Sequence, residues 1–97
     1  MAKFKLTNKA VEDLAAIWEY TFDTWSQRQA DKYYMLLINS FEELATSPKL
    51  GKQYYEIAPG ILGFLAYRHI IFFRKINDKE IEVIRILHSQ MDLKNKM

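Results

Sequence analysis

The residues with the most chemical potential sit near the end of the chain, where the run IEVIRILHSQMD brings Arg85, His88, Gln90 and Asp92 close together. A strand that only fills a core does not need such an ending. One catalytic chemistry fits these residue types: metal-independent RNA cleavage. It requires a base for the 2′-hydroxyl proton, cations to stabilise the phosphorane, and an acid for the leaving oxygen. His88 can serve as acid or base, and Arg68, Arg74 and Arg85 can supply positive charge. Arg85 and His88 stand at i and i+3, however, so on a regular strand they point to opposite faces unless the strand ends or bulges between them. The plainer reading is a rim histidine and a strand arginine paired with Glu82 or Asp92. His69, beside Arg68, reads as structural, because nothing at fixed spacing would activate it.

Other chemistries lack their parts. His69 and His88 are the only histidines and there is no cysteine, so neither a Cys/His zinc cluster nor an HExxH helix exists, and no metal is expected. Gly51, Gly60 and Gly63 do not form a phosphate-binding loop, and there is no Gly-x-Ser-x-Gly elbow. No cofactor is expected.

The elements that must position these residues follow from periodicity. Lys3–Leu6 alternates polar and apolar, as a short strand does. Thr7 or Asn8 can cap a helix from Asn8 to Thr24, whose apolar residues Val11, Leu14, Ile17, Trp18, Phe22 and Trp25 recur at spacings of three and four. Ser26-Gln27-Arg28-Gln29 is a capping box that opens a second helix with the stripe Ala30, Tyr33, Tyr34, Leu37, Ile38, Phe41 and Leu44. Pro48 ends it, and the short connection makes an antiparallel αα-hairpin over 7–47. Thr46 to Gly60 reads as loop. Ile61–Ala66, Arg68–Ile76 and Lys79–His88 read as strands of an antiparallel meander over 61–88, with a turn at Asn77-Asp78. The tail, 89–97, is polar. The expected fold is α+β: one domain over 1–97, with the helical hairpin packed on a three- to four-stranded antiparallel sheet that the N-terminal strand joins.

Composition bounds the rest. The 97 residues fit one core, and 49% hydrophobic with 27% charged residues describes a soluble globular chain. The N-terminus lacks the apolar region of a signal peptide and no stretch is long enough for a membrane helix, so a cytosolic protein without membrane contact is expected. Net charge is +2, too small to argue for direct nucleic-acid binding. Thr7 to Ala45 holds Lys9, Arg28 and Lys32 against Glu12, Asp13, Glu19, Asp23, Asp31, Glu42 and Glu43, so the front of the chain is acidic and the remainder basic. That split describes either two solvated faces or a basic surface turned toward an acidic partner or nucleic acid. Two Trp, six Tyr and six Phe are more than so short a chain buries completely. Some aromatic surface should therefore be exposed or covered by a partner.

The run RHIIFFR followed by IEVIRILHSQMD, Arg68–Asp92, resembles the C-terminal half of ParE toxins, in the RelE/ParE superfamily of type II toxin–antitoxin systems. The short first strand, the helix LTNKAVEDLAAIWEYT, the LATSPKLGK ending of the second helix and the Pro-Gly before the sheet extend the resemblance over essentially the whole chain. It implies a helical hairpin on an antiparallel sheet, and a toxin that inhibits DNA gyrase by protein–protein binding and is neutralised by a ParD-like antitoxin. It also implies assembly with that antitoxin, as a heterotetramer, or a homodimer. RelE-like members are instead ribosome-dependent mRNA endoribonucleases that place an arginine before the central hairpin, and many use a tyrosine near the C-terminus. Here Gln53 to Tyr67 contains neither Arg nor Lys, and no tyrosine follows Tyr67. His88 is the feature that keeps the nuclease alternative, with Arg68, Arg74 and Arg85 as stabilisers. ParE relatives often carry an arginine just after the Pro-Gly turn; here Ile61-Leu62-Gly63 stands there, and that role is not carried over. The resemblance assigns no catalytic residue. It implies a target-binding face of Arg85, His88, Gln90, Met91, Asp92 and Lys94, supported by Arg74. It also implies an antitoxin groove on the exposed side of the hairpin, anchored by Trp18, Phe22, Trp25, Tyr33 and Leu37.

Overall fold

The computed structural model describes residues 2–90. Its elements are β1 (Lys3–Leu6), α1 (Asn8–Thr24), α2 (Gln27–Thr46), a 3-10 turn (Pro48–Leu50), β2 (Lys52–Gln53), β3 (Leu62–Ala66), β4 (His69–Asn77) and β5 (Glu80–His88). The strands form one sheet in the order β1-β5-β4-β3-β2. The expected αα-hairpin on a sheet is present, with two differences. The sheet has five strands, because two residues of the expected loop pair with β3. It is also mixed, because β1 runs parallel to β5.

Local chemistry explains the helix bounds. Thr7 Oγ1 accepts from the Ala10 N–H at 3.0 Å and starts α1. Ser26 Oγ accepts from the Gln29 N–H at 3.1 Å and starts α2 two residues after α1 ends. Pro48 lacks an N–H and opens the 3-10 turn that follows.

One face of the sheet carries the helices. Leu14 from α1 and Leu37, Phe41 and Leu44 from α2 pack on Ile71, Phe73, Ile81, Val83 and Ile86. Ile70, Phe72 and Leu87 point the other way, under Tyr54, Ile57 and Ile61 of the β2–β3 connection. Gly63 permits that cover, since a Cβ there would meet the Tyr54 ring at 2.4 Å.

Two irregularities shape the β4–β5 hairpin. Phe72 pairs with Arg85 but Phe73 with Val83, so Ile84 is an extra residue in β5. Thr7 captures this bulge by donating its hydroxyl to the Ile84 carbonyl at 2.7 Å. At the far end, Asn77 pairs with Glu80, which moves the expected turn by one residue to Asp78-Lys79. Asn77 Oδ1 accepts from the Lys79 N–H at 2.8 Å, and this side-chain turn needs no positive φ.

Candidate functional site

A groove of about 660 Å³ opens between α1, α2 and the end of the sheet where β5 finishes. Five of its polar side chains come from four elements. Asp13 lies on α1, Tyr33 on α2, His69 at the start of β4, and Arg85 and His88 at the end of β5. Apolar walls come from Ile17, Tyr20 and Trp25.

Arg85 and His88 both line this groove, despite their i, i+3 spacing. Arg85 is registered opposite Phe72, whose ring belongs to the cluster on the other face. β1 pairs only as far as Val83, so α1 lies along the next part of the β5 edge. There Asp13 accepts from the Ile86 N–H at 3.0 Å and from Arg85 Nε and Nη2 at 2.7 and 3.0 Å. Arg85 is thus held by Asp13, and Glu82, one of the partners expected from sequence, pairs with Arg74 instead; the other, Asp92, lies outside the described residues. The Arg85 and Asp13 side chains are largely buried, at 20% and 15% exposure. The hydrogen bond to Asp13 raises the Arg85 pKa above its usual value, against the cost of burial.

His69 is the residue that sequence reasoning passed over. Its Nδ1 lies 2.7 Å from Tyr33 Oη, and its ring meets His88 edge-on at 5.3 Å. Tyr33 Oη accepts from the Arg68 N–H at 3.3 Å, which leaves its own proton for His69 Nδ1. Burial, helped by neighbouring His88 and opposed by Asp13, lowers the His69 pKa to about 4. Burial likewise raises the pKa of Tyr33. At neutral pH this is a neutral tyrosine–imidazole pair. His88 Nδ1 accepts from the Gln90 N–H at 3.2 Å, so each imidazole has one nitrogen committed. A His69 signal was available only through the β4–β5 register, which pairs His69 with His88.

Other expected site residues disperse. Arg74 pairs with Glu82 at 2.8 Å, towards the opposite end of the hairpin from His88. Six residues of strand separate its partner Glu82 from His88, about 20 Å, which sets Arg74 apart from the groove. Arg68 reaches the groove from the β3–β4 turn. Gln90 is exposed beside His88. Met91, Asp92 and Lys94 lie outside the described residues. Among the described residues no group of three potential metal ligands forms.

The expected hairpin anchors also divide. Leu37 is fully buried in the core rather than on the outer side, and Tyr33 turns into the groove. Trp25 is 69% exposed and lines the groove. Trp18 stacks on Phe22 at 5.2 Å and donates its indole N–H to Asp31 at 3.0 Å. Two stripes explain the division. Ala10, Leu14 and Ile17 face the core, whereas Val11, Ala15, Trp18 and Phe22, also spaced by four, three and four, face outward. Tyr34 and Met35 of α2 complete this outer surface, with a shallow hollow between Leu14, Trp18, Tyr34 and Met35.

The family model for the ParE toxin of the type II toxin–antitoxin system parDE matches residues 4–93. The chain belongs to the ParE toxin family. It is 33% identical to toxin ParE1 of Mycobacterium tuberculosis H37Rv over 92 residues, covering 95% of this chain and 94% of that protein. Toxin ParE1 of Caulobacter vibrioides is 29% identical with the same coverage. Toxin ParE of Escherichia coli is 28% identical over 97 residues, covering 100% and 94%. The fold likewise matches a chain of the chromosomal ParDE system from P. aeruginosa, with a TM-score of 0.78 at 24% identity, covering 93% of this chain and 98% of that one. In this ParE-family chain the groove and the outer hairpin surface both expose aromatic side chains beside a hollow. No helix among the described residues is long and apolar enough to cross a membrane.

Proposed function

We propose that this ParE-family toxin acts in the cytoplasm by binding DNA gyrase and stabilising its cleaved-DNA state, without cutting nucleic acid itself. The observation that carries the mode of action is the closure of Arg85 by Asp13. A phosphorane needs an uncompensated cation, and two of the three arginines of the nuclease alternative are held by carboxylates, Arg85 by Asp13 and Arg74 by Glu82. His69, beside His88, has its pKa lowered to about 4, far from the value near neutrality that efficient acid–base catalysis uses, so it is no second acid or base for that chemistry.

A cognate ParD-like antitoxin is the second partner. Its seat is the outer stripe of Val11, Trp18, Phe22, Tyr34 and Met35, which supplies the spacing an amphipathic helix reads. This surface takes the place of the Leu37 and Tyr33 anchors, which point elsewhere. Asp31 and Glu19 border the hollow and favour a basic flank on the incoming helix.

The mode is tested in a purified translation system with a reporter mRNA and primer extension across the ribosome-bound region. Intact message in the presence of toxin is expected. Cuts that appear inside ribosomes and disappear in His88→Ala would establish the nuclease instead.

A further inference from the structure

The β3–β4 connection is a two-residue turn, because Ala66 pairs with His69 and only Tyr67 and Arg68 lie between. Tyr67 has φ 61°, and among the described residues it alone adopts positive φ without being a glycine. A positive φ at the first turn position alone is the type II′ pattern, where glycine is the unstrained residue. A bulky side chain there persists only where its surroundings over-determine it, and such strain clusters at binding and active sites.

The surroundings do over-determine this turn. The Arg68 N–H donates to Tyr33 Oη, and the Arg68 carbonyl accepts from the Ser89 N–H at 3.0 Å. The Tyr33 and Tyr67 rings meet edge to face at 6.1 Å. The backbone is therefore tied to α2 on one side and to the end of β5 on the other. Both of its side chains nevertheless reach solvent. Tyr67 is 58% exposed, and Arg68 is exposed with no carboxylate within ion-pair distance among the described residues. A rigid backbone that presents an exposed aromatic ring and an arginine has the composition of an interface hot spot and little ordering cost left to meet on binding.

We propose that the Tyr67-Arg68 turn is the finger by which this toxin docks on its target enzyme, Tyr67 entering an apolar cleft and Arg68 a carboxylate beside it. This rests on the gyrase reading above and names its contact. The finger is continuous with His88–Gln90 through the Ser89–Arg68 bond, so it extends the face expected from sequence. The occupant is an acidic protein surface because Arg68 is an exposed cation with no carboxylate in ion-pair range among the described residues, and the groove's Asp13 is already engaged by Arg85.

Strain makes the proposal separable from a structural role. Tyr67→Gly removes the ring and relieves the positive φ together. It should hold or raise the urea midpoint of unfolding, while the concentration needed to linearise plasmid with gyrase rises about 10-fold or more. Arg68→Ala should weaken gyrase action to a similar degree with unchanged stability. A lowered urea midpoint for Tyr67→Gly would show that Tyr67 serves folding and overturn the proposal. Variants as potent as a wild-type protein that poisons gyrase would overturn it too, and leave the gyrase reading standing. Wild-type protein inert toward gyrase would remove that reading and the finger's assigned partner with it.

Discussion

Replacing Asp13 should be among the most damaging single changes to the folded state. Its carboxylate accepts three hydrogen bonds, two from Arg85 and one from the Ile86 N–H. Removing one partner of a buried ion pair costs about 3–5 kcal/mol, because the other charge keeps its desolvation penalty. Exposures of 20% and 15% lower that here, to about 2–4 kcal/mol for Asp13→Ala. Asp13→Asn retains one carbonyl acceptor and should lose about 1–2 kcal/mol. The decisive quantity is the coupling in a double-mutant cycle with Arg85→Met, followed by urea denaturation and tryptophan fluorescence. A coupling of about 2 kcal/mol is expected, since the apolar replacement removes the charge that Asp13 neutralises. Additivity of the two changes within about 0.5 kcal/mol would refute the reasoning. Arg85 would then have to be held by something other than Asp13, and the argument that its charge is unavailable for catalysis would fall.

Further outcomes follow from other contacts. His69 has a folded pKa of about 4 against an ordinary 6.5, so its contribution to stability is complete above pH 6.5 and is lost as pH falls towards 4. The full shift corresponds to roughly 3 kcal/mol, but partial solvent exposure screens it, and about 1 kcal/mol should be lost between pH 7 and 5. His69→Gln should flatten that part of the stability–pH curve, and an unchanged slope would contradict the assignment. Gly63→Ala forces a Cβ into the Tyr54 ring and should cost about 1–3 kcal/mol in urea melts, whereas Gly60→Ala meets no neighbour and is disfavoured only by its φ of 82°. Met35→Glu places a charge in the outer hollow, and should weaken antitoxin binding at least about 10-fold in calorimetry while leaving growth inhibition intact. Equal loss of both would place the two partners on one surface.

Much of the scaffold was legible because its signals are local. Thr7 and Ser26 announce the helix starts by their own capping chemistry, and Pro48 announces the stop, so α1 was expected at Asn8–Thr24, where it lies. β2 was not legible, since two residues have no period, and Lys52–Gln53 becomes a strand only by pairing with β3. Direction was equally hidden: nothing in Lys3–Leu6 distinguishes a parallel partner from an antiparallel one. The site depended on long-range geometry. Asp13 and Arg85 stand 72 positions apart, and the pair exists because β1 ends early and leaves the β5 edge to α1. Leu37 and Met35 are both apolar residues of one helix, yet a rotation of two residues separates the core from the surface. His69 looked inert for the same reason, because Tyr33 and His88 reach it only through the fold. The resemblance in Arg68–Asp92 pointed to the ParE family, but not to how its residues are arranged.

The most direct measurement of the central claim is to incubate the purified chain with DNA gyrase, ATP and supercoiled plasmid, then quench with detergent and protease and resolve the DNA on a gel. Linear plasmid that accumulates with toxin concentration and requires gyrase is the predicted result. Supercoiling that proceeds normally with no linear product would contradict the account.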